Sequence, residues 1–297
     1  MKLIFGTGSR FGRFNYKKAS DLVDFAINND IRVFDTAIHY GNKRSQPLLA
    51  SCLKKHLKKN REDFIISTKC FPESAEYIKY CVEESLEVFQ SNYLDYFHLW
   101  GAGTNHLDRR EILSCLKELT KSGKIRNASV TTQDLRTIKK ISTGFYEEIS
   151  CILLDFNLLK QDRIPFIEKC KKNDIKVFAG TTLCQGFLLE SILEMFFRSK
   201  SPFYFLRSLF KFETRQYLKN SKKLRTHIKY KYSKYSKQLP LSFVVNEPNI
   251  DYLSLGMLSK DSINMNINIL NKPLSKKLTN EVANWALFNC QVTDNFQ

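Results

Sequence analysis

The feature that most constrains this chain is an eightfold alternation of short apolar runs with longer stretches of helical periodicity. The runs are LIFGTG (3–8), IRVFDTA (31–37), FIISTK (64–69), LDYFHLW (94–100), IRNASVT (125–131), SCILLDF (150–156), IKVFAGT (175–181) and DYLSLGM (251–257). Most are near-continuous apolar runs, which implies strands buried on both faces and paired in parallel. Parallel pairing needs a crossover of a dozen or more residues, usually a helix. Segments 19–29, 45–59, 76–89 and 110–122 supply such crossovers; in the last, Ile112, Leu113, Leu116 and Leu119 fall near one face. Eight β/α units in 297 residues predict an α/β chain folded as a (β/α)8 TIM barrel, a fold of about 250 residues. A doubly wound open sheet is the alternative, but no strand here ends in a G-x-G-x-x-G turn.

One connection breaks the pattern. Between the seventh and eighth runs lies a long segment that holds a basic, aromatic-rich insertion at about 190–238. No Gly/Ser/Pro-rich linker sets it apart, so a single domain, 1–297, with an insertion is expected. From Arg198 to Lys237 there are thirteen Lys/Arg and one acid, Glu213, and most of the chain's net charge of +17 resides there.

Composition narrows the function classes. With 43% hydrophobic residues the chain can bury a large core, and no apolar run approaches the ~18 residues of a membrane-spanning helix. The N-terminus turns polar too soon for a signal peptide, so a cytoplasmic protein is expected. The eight cysteines are scattered singly, without C-x-x-C pairs or close histidine partners. They read as buried thiols, and no metal site is expected.

The chemistry is written at the predicted strand ends, which in a barrel of this kind face the active site. Asp35 and Tyr40 follow the second strand, Lys69 ends the third, and His98 lies near the end of the fourth. Singly, each has a plain structural role as a turn cap, a snorkelling lysine, a core histidine or a turn aromatic. At three successive strand ends they form a set. A neighbouring ammonium favours a phenolate, so Lys69 is expected to lower the pKa of Tyr40; Asp35 would hold Lys69 charged, and His98 would donate to a carbonyl oxygen. With no nucleophile and no metal cluster, this suits protonation of an oxyanion formed by hydride attack, the hydride coming from a cofactor.

These residues carry a resemblance. FDTAIHYGNKRSQPLL (34–49), STK (67–69), DYFHLWG (95–101), GKIRNASV (123–130), DFNLL (155–159), AGTTLCQGFLL (179–189) and LGMLSKDSINMNI (255–267) are similar, in order, to the signature segments of the aldo-keto reductases. The resemblance spans nearly the whole chain. It implies a catalytic tetrad of Asp35, Tyr40, Lys69 and His98, with Tyr40 the general acid. It also implies NADPH or NADH as cofactor, held by Thr7, Asp35, Thr131, Thr132, Gly180, Thr181, Leu183, Ser259, Lys260 and Asn266, and a small carbonyl substrate reduced to an alcohol by a monomeric enzyme.

The chain departs from the family pattern in its cofactor half. Thr131 and Thr132 stand for Ser-Asn, Leu153 for Gln, Gly180 for an aromatic, and Ser262 for the Arg that selects a 2′-phosphate, which leaves Ser259 and Lys260 as phosphate contacts. The alternative function is therefore a weakly catalytic or non-catalytic module that binds a membrane surface or protein partner through its insertion.

The insertion itself admits several roles. The plain one is a solvated helix pair packed on the barrel. An anionic-substrate lid is the next. A membrane-surface helix would use Phe203, Phe205, Leu206, Leu209, Phe210 and Phe212 beside Arg207 and Lys211. Single-stranded nucleic acid, through Tyr230, Tyr232 and Tyr235, ranks last, and no specific nucleic-acid partner is expected.

Overall fold

The computed structural model of the protein describes residues 1–199, 206, 209, 210 and 212–290. Its eight strands are β1 (Lys2–Gly6), β2 (Val33–Asp35), β3 (Ile65–Cys70), β4 (Leu94–Trp100), β5 (Ile125–Thr131), β6 (Cys151–Asp155), β7 (Lys176–Gly180) and β8 (Tyr252–Gly256). They close in chain order, with β1 parallel to both β2 and β8. This is the (β/α)8 barrel that the alternation predicts.

The helices are α1 (Gly8–Phe11), α2 (Tyr16–Asn28), α3 (Ser45–Lys59), α4 (Ala75–Phe89), α5 (Thr104–Leu107), α6 (Arg110–Lys121), α7 (Leu135–Ser142), α8 (Ile164–Lys172), α9 (Ile192–Ser199), α10 (Phe212–Lys231), α11 (Leu239–Val245), α12 (Lys260–Asn271) and α13 (Lys276–Asn289). Local signals start several of them. The Asn15 and Ser74 side chains cap α2 and α4 by accepting from the amides of Lys18 and Tyr77. On α6 the buried face is Ile112, Cys115, Leu116 and Leu119, while Leu113 is only partly covered. At 100° per residue Leu113 lies a quarter-turn from Ile112, which corrects its expected place on that face.

Tertiary contacts divide the chain into two compact units. The first is Met1–Leu154 with Pro165–Phe178 and Asn249–Met265. Its core joins inward-facing strand residues, Ile4, Val33, Tyr96, Cys151, Leu153, Phe178 and Tyr252, with Ile65 packed against them. The second is Asp155–Ile164 with Ala179–Pro248 and Asn266–Gln297. There Tyr217 of α10 is fully buried and donates to Asp155 Oδ2 at 2.9 Å, and the Phe156 ring packs on Phe243. The described part of the insertion is thus seated on protein through α10.

All eight cysteines are buried thiols. Among the described residues, no helix is long and apolar enough to cross a membrane, and no cluster of His, Cys, Asp and Glu is placed to hold a metal. Of the residues expected to form a membrane-surface helix, Phe203, Phe205, Arg207 and Lys211 lie outside the described residues; Leu206, Leu209, Phe210 and Phe212 are exposed.

Candidate active site

Strand register assembles the site in the first unit. Asp35 pairs with Ser67 across β2 and β3, and Lys69 with His98 across β3 and β4. Alternate residues of a strand face one side. Val33, Ile65 and Tyr96 belong to the barrel core, so Asp35, Ser67, Lys69 and His98, at even spacing beyond them, point inward near the strand ends.

Lys69 is 1% exposed, and its ammonium is fully engaged: Nζ donates to Asp35 Oδ1 and Oδ2 at 2.7 Å each and to the Thr36 carbonyl at 2.8 Å. The Asp35 carboxylate also accepts from Ser67 Oγ at 2.7 Å. A buried ion pair is tolerable only when its remaining hydrogen-bonding capacity is met, and here the hydroxyl and peptide oxygen meet it. Burial works against the Lys69 charge, but the carboxylate of Asp35 and the neighbouring Tyr40 outweigh it and hold the ammonium above its ordinary pKa.

Tyr40 is placed by a turn. Gly41, Asn42 and Lys43 are all left-handed, with φ of +61°, +54° and +64°. At Gly41 a Cβ would come within 2.8 Å of Ser45 Oγ and 3.0 Å of the Ser9 carbonyl, so both the φ and the space call for glycine. Ser45 Oγ stitches this turn to the loop after β1, donating to the Gly8 carbonyl and accepting from the Gly12 amide. The Tyr40 ring then stands edge-on to Trp100 at 5.2 Å, with Lys69 Nζ 5.4 Å from its centroid.

The electrostatics correct one expectation. Burial raises the Tyr40 phenol above its ordinary pKa; the Lys69 charge pulls it down without reversing that. Loss of solvent at the phenol counts for more than the ammonium beside it.

His98 is fully buried, and neither ring nitrogen has a hydrogen-bond partner. Burial first, and the Lys69 charge second, hold the imidazole well below its ordinary pKa. The Val130 backbone lies near enough to pull slightly the other way but not in hydrogen-bond geometry. His98 is therefore a neutral ring with a free donor beside a permanent cation.

Sequence reasoning missed three contributors. Ser67 and the Thr36 carbonyl complete the Lys69–Asp35 pair; Ser67 was available from the period of two, standing two residues before Lys69 on one strand. The third is an aromatic wall. Phe71, 38% exposed, stacks on Trp100 with centroids 4.9 Å apart and planes 11° apart. His39 also packs against Phe71, with ring centroids 4.9 Å apart, and shares a hydrogen bond with Tyr77 Oη.

The residues expected to meet a cofactor divide between the units. In the first unit, the Thr7 hydroxyl is spent on Thr36 and the Asp35 carbonyl. The Thr132 hydroxyl accepts from the Asp134 amide, while Thr131 Oγ1 is buried without a partner. Ser259 and Lys260 are exposed at the start of α12, where Ser259 Oγ caps the Ser262 amide and the Lys260 ammonium lies 5.3 Å from the Phe25 ring centroid. In the second unit, Gly180 is buried and accepts from the Phe156 amide through its carbonyl. Thr181 is left-handed, Leu183 accepts from the Gly186 amide, and Asn266 is buried with Oδ1 unpartnered.

Comparison with known proteins identifies the family. The aldo/keto reductase family profile matches residues 2–285. The chain belongs to the aldo/keto reductase family, a family of oxidoreductases that work with nicotinamide cofactors. It is 30% identical over 199 residues to the L-galactose dehydrogenase of Arabidopsis thaliana, an alignment covering 62% of this chain and 60% of that protein. The aldo-keto reductase YhdN of Bacillus subtilis is 22% identical over 94% of this chain and 83% of its own. The chain thus spans about three fifths of the length of L-galactose dehydrogenase. Among solved structures, the apo aldo-keto reductase AKR11C1 of Bacillus halodurans superposes with a TM-score of 0.73 at 20% identity, over 99% of this chain and 94% of that one. An aldo/keto reductase of Klebsiella pneumoniae, solved with NADP and acetate, gives 0.69 at 17% identity, over 99% and 93%.

Within the second unit, buried polar atoms stand open to a polar ligand: an unpartnered one is costly, and Thr182 Oγ1 and Asn266 Oδ1 both stand so. Thr181, Cys184 and Gln185 have φ of +49°, +49° and +61°, and the amides of Cys184, Gly186 and Phe187 close this turn on the carbonyls of Thr181, Leu183 and Cys184.

Proposed function

We propose that this chain interconverts a small carbonyl compound and its alcohol with NADPH, acting as a cytosolic monomer, and that Asp35, Tyr40, Lys69 and His98 are its catalytic residues. The observation that carries this reading is the buried Lys69–Asp35 pair beside Tyr40, on strands that also present the unpartnered nitrogens of His98.

When bound, the nicotinamide supplies the hydride. The neutral imidazole of His98 donates an N–H to the substrate oxygen and orients the carbonyl. Tyr40 delivers its phenolic proton to that oxygen as negative charge grows there, and the resulting phenolate is stabilised by Lys69. Asp35 keeps Lys69 charged and fixed, so the cation needs no rearrangement during the reaction. Thr131, Gly180, Thr181, Leu183 and Asn266 are the positions that would hold the cofactor. The exposed ammonium of Lys260 suits a 2′-phosphate, which favours NADPH over NADH.

For the substrate, a neutral sugar-like compound fits best. Lys69, the cation among the inward positions named above, is spent on Asp35, so an anionic group finds no charge partner there. The Phe71–Trp100 wall suits the C–H face of a ring, and one relative is an L-galactose dehydrogenase. The test is Tyr40→Phe. Reduction falls by about 10²–10⁴-fold, the worth of a positioned general acid, with NADPH binding unchanged; equal turnover in the variant rejects the assignment.

A further inference from the structure

Within the second unit, α10 and α13 lie side by side and antiparallel. Lys231 and Tyr232 both hold the Glu281 carboxylate, His227 stacks on Trp285, and Lys223 Nζ donates to the Asn289 carbonyl at 2.8 Å. The helices are thus clamped at both ends. Along the clamped pair, and reaching one turn of α10 beyond Lys223, runs a groove of about 770 Å3, within the range of roughly 300–1,000 Å3 common for ligand sites.

Its lining is basic and aromatic. From α10 come Lys219, Lys222, Lys223 and Tyr230, which at 100° per residue fall within about a 100° arc of the helix, and the lining includes the His227–Trp285 stack, with centroids 3.8 Å and planes 4° apart. No carboxylate lines it, and Glu281 is occupied by Lys231 and Tyr232. Lys219 and Lys222 have no acidic partner among the described residues, whereas Lys223 is partly spent on the clamp. Tyr230 is 92% exposed, an aromatic face with nothing over it.

We propose that this groove is a second ligand site, separate from the tetrad, that takes a nucleoside polyphosphate. Two features select that class. Lys219 and Lys222 offer an unpaired double positive charge to phosphates at one end, and Tyr230 with the His227–Trp285 stack offers aromatic surface to a base at the other. The separation agrees: at 1.5 Å rise per residue, Lys222 stands ~12 Å and Lys219 ~16 Å along the helix from Tyr230. An extended base, ribose and phosphate chain covers that distance. The clamps fix the helix backbones that carry these side chains, so binding orders side chains and not the helices.

The test is calorimetric titration of the full chain with ATP, with inorganic tripolyphosphate and with a single-stranded oligonucleotide, each with and without saturating NADPH. The expected result is that ATP binds, that NADPH does not displace it, and that tripolyphosphate binds at least tenfold more weakly because it lacks the base. Lys219→Glu with Lys222→Glu, both on exposed side chains, is expected to weaken ATP at least tenfold and to leave the melting temperature and NADPH affinity unchanged. Tyr40→Phe is expected to leave ATP binding intact, so failure of the catalytic reading and of this one are told apart. The proposal is overturned if ATP fails to bind at millimolar concentration, if the lysine pair has no effect, if NADPH displaces ATP, if tripolyphosphate matches it, or if the oligonucleotide binds far more tightly.

Discussion

Lys69 and His98 lie paired across β3 and β4 and hold different charge states, one a cation and the other neutral chiefly through its burial. Asp35 helps hold the ammonium above its ordinary pKa, and that same ammonium helps hold the imidazole well below its own. The outcome is a fixed cation beside a neutral hydrogen-bond donor at the mouth of one barrel. A carbonyl oxygen needs such a pair: an N–H to receive it and a positive charge to stabilise the phenolate left after protonation.

The ion pair at the base of this arrangement is expected to behave as a unit. Removing Lys69 as Lys69→Met leaves Asp35 charged, buried and short of its main partner, at a cost of about 3–5 kcal/mol. Asp35→Asn strands Lys69 in the same way. The double variant loses much less than the sum, because neither buried charge is then left alone. Urea unfolding of the four proteins measures this, and additive losses would show that the pair is not coupled.

Stability is also expected to carry the signature of His98. Its folded pKa lies well below the unfolded value of about 6.5, so below that pH the unfolded chain binds a proton that the folded one refuses. Stability is therefore lost as pH falls below about 6.5, with a slope from this one group approaching ~1.4 kcal/mol per pH unit. In His98→Gln that component is missing, and the difference between the two pH profiles isolates it from the carboxylates. Parallel profiles for wild type and variant would mean that His98 is not held neutral by the fold.

Much of this was legible in the sequence where local pattern and tertiary role coincide. The runs at 94–100 and 125–131 match β4 and β5 end to end, the first because a strand buried on both faces is largely apolar, the second although Arg126 is exposed. Asp35, Lys69 and His98 stood out as polar residues ending such runs. What was hidden depends on neighbours distant in the chain. Leu113 looked like core until the helix face was fixed by Cys115. The net direction of the Tyr40 shift needs the amount of solvent removed, which no spacing reveals. In the insertion, Tyr217 is one of several tyrosines among lysines, and its burial and its hydrogen bond to Asp155 distinguish it.

The opposite end of the barrel is expected to matter for stability alone. Arg61 donates to Asp95 at 2.7 Å and to the carbonyls of Phe64 and Tyr93, tying together the starts of β3 and β4, while Asp95 also accepts from the Ile66 amide. Arg61→Ala removes the shorter of the two arginine contacts to a buried carboxylate and leaves Arg126 at 3.4 Å. Loss of a hydrogen bond to a charged group costs about 1.5–3 kcal/mol. Since active sites of this fold lie at the strand C-termini, turnover at a temperature well below the melting point is expected to stay within about twofold of wild type. Thermal unfolding and steady-state kinetics together check this, and a large fall in turnover with unchanged stability would contradict it.

The raised phenol of Tyr40 makes the two directions of the reaction respond differently to pH. Reduction needs the protonated phenol, and with burial holding its pKa above the ordinary value of about 10 that form prevails through neutrality. The rate of carbonyl reduction at saturating substrate is therefore expected to be flat from about pH 6.5 to 9. Alcohol oxidation needs the phenolate as base, so its rate is expected to climb about tenfold per pH unit over the same range. Lys69→Arg, which keeps the cation, should retain this asymmetry, whereas Lys69→Met takes away the one charge that favours the phenolate and moves the oxidation limb to still higher pH. Steady-state rates in both directions across that range decide the matter: a bell-shaped reduction profile centred near neutrality would assign the proton to a group other than Tyr40.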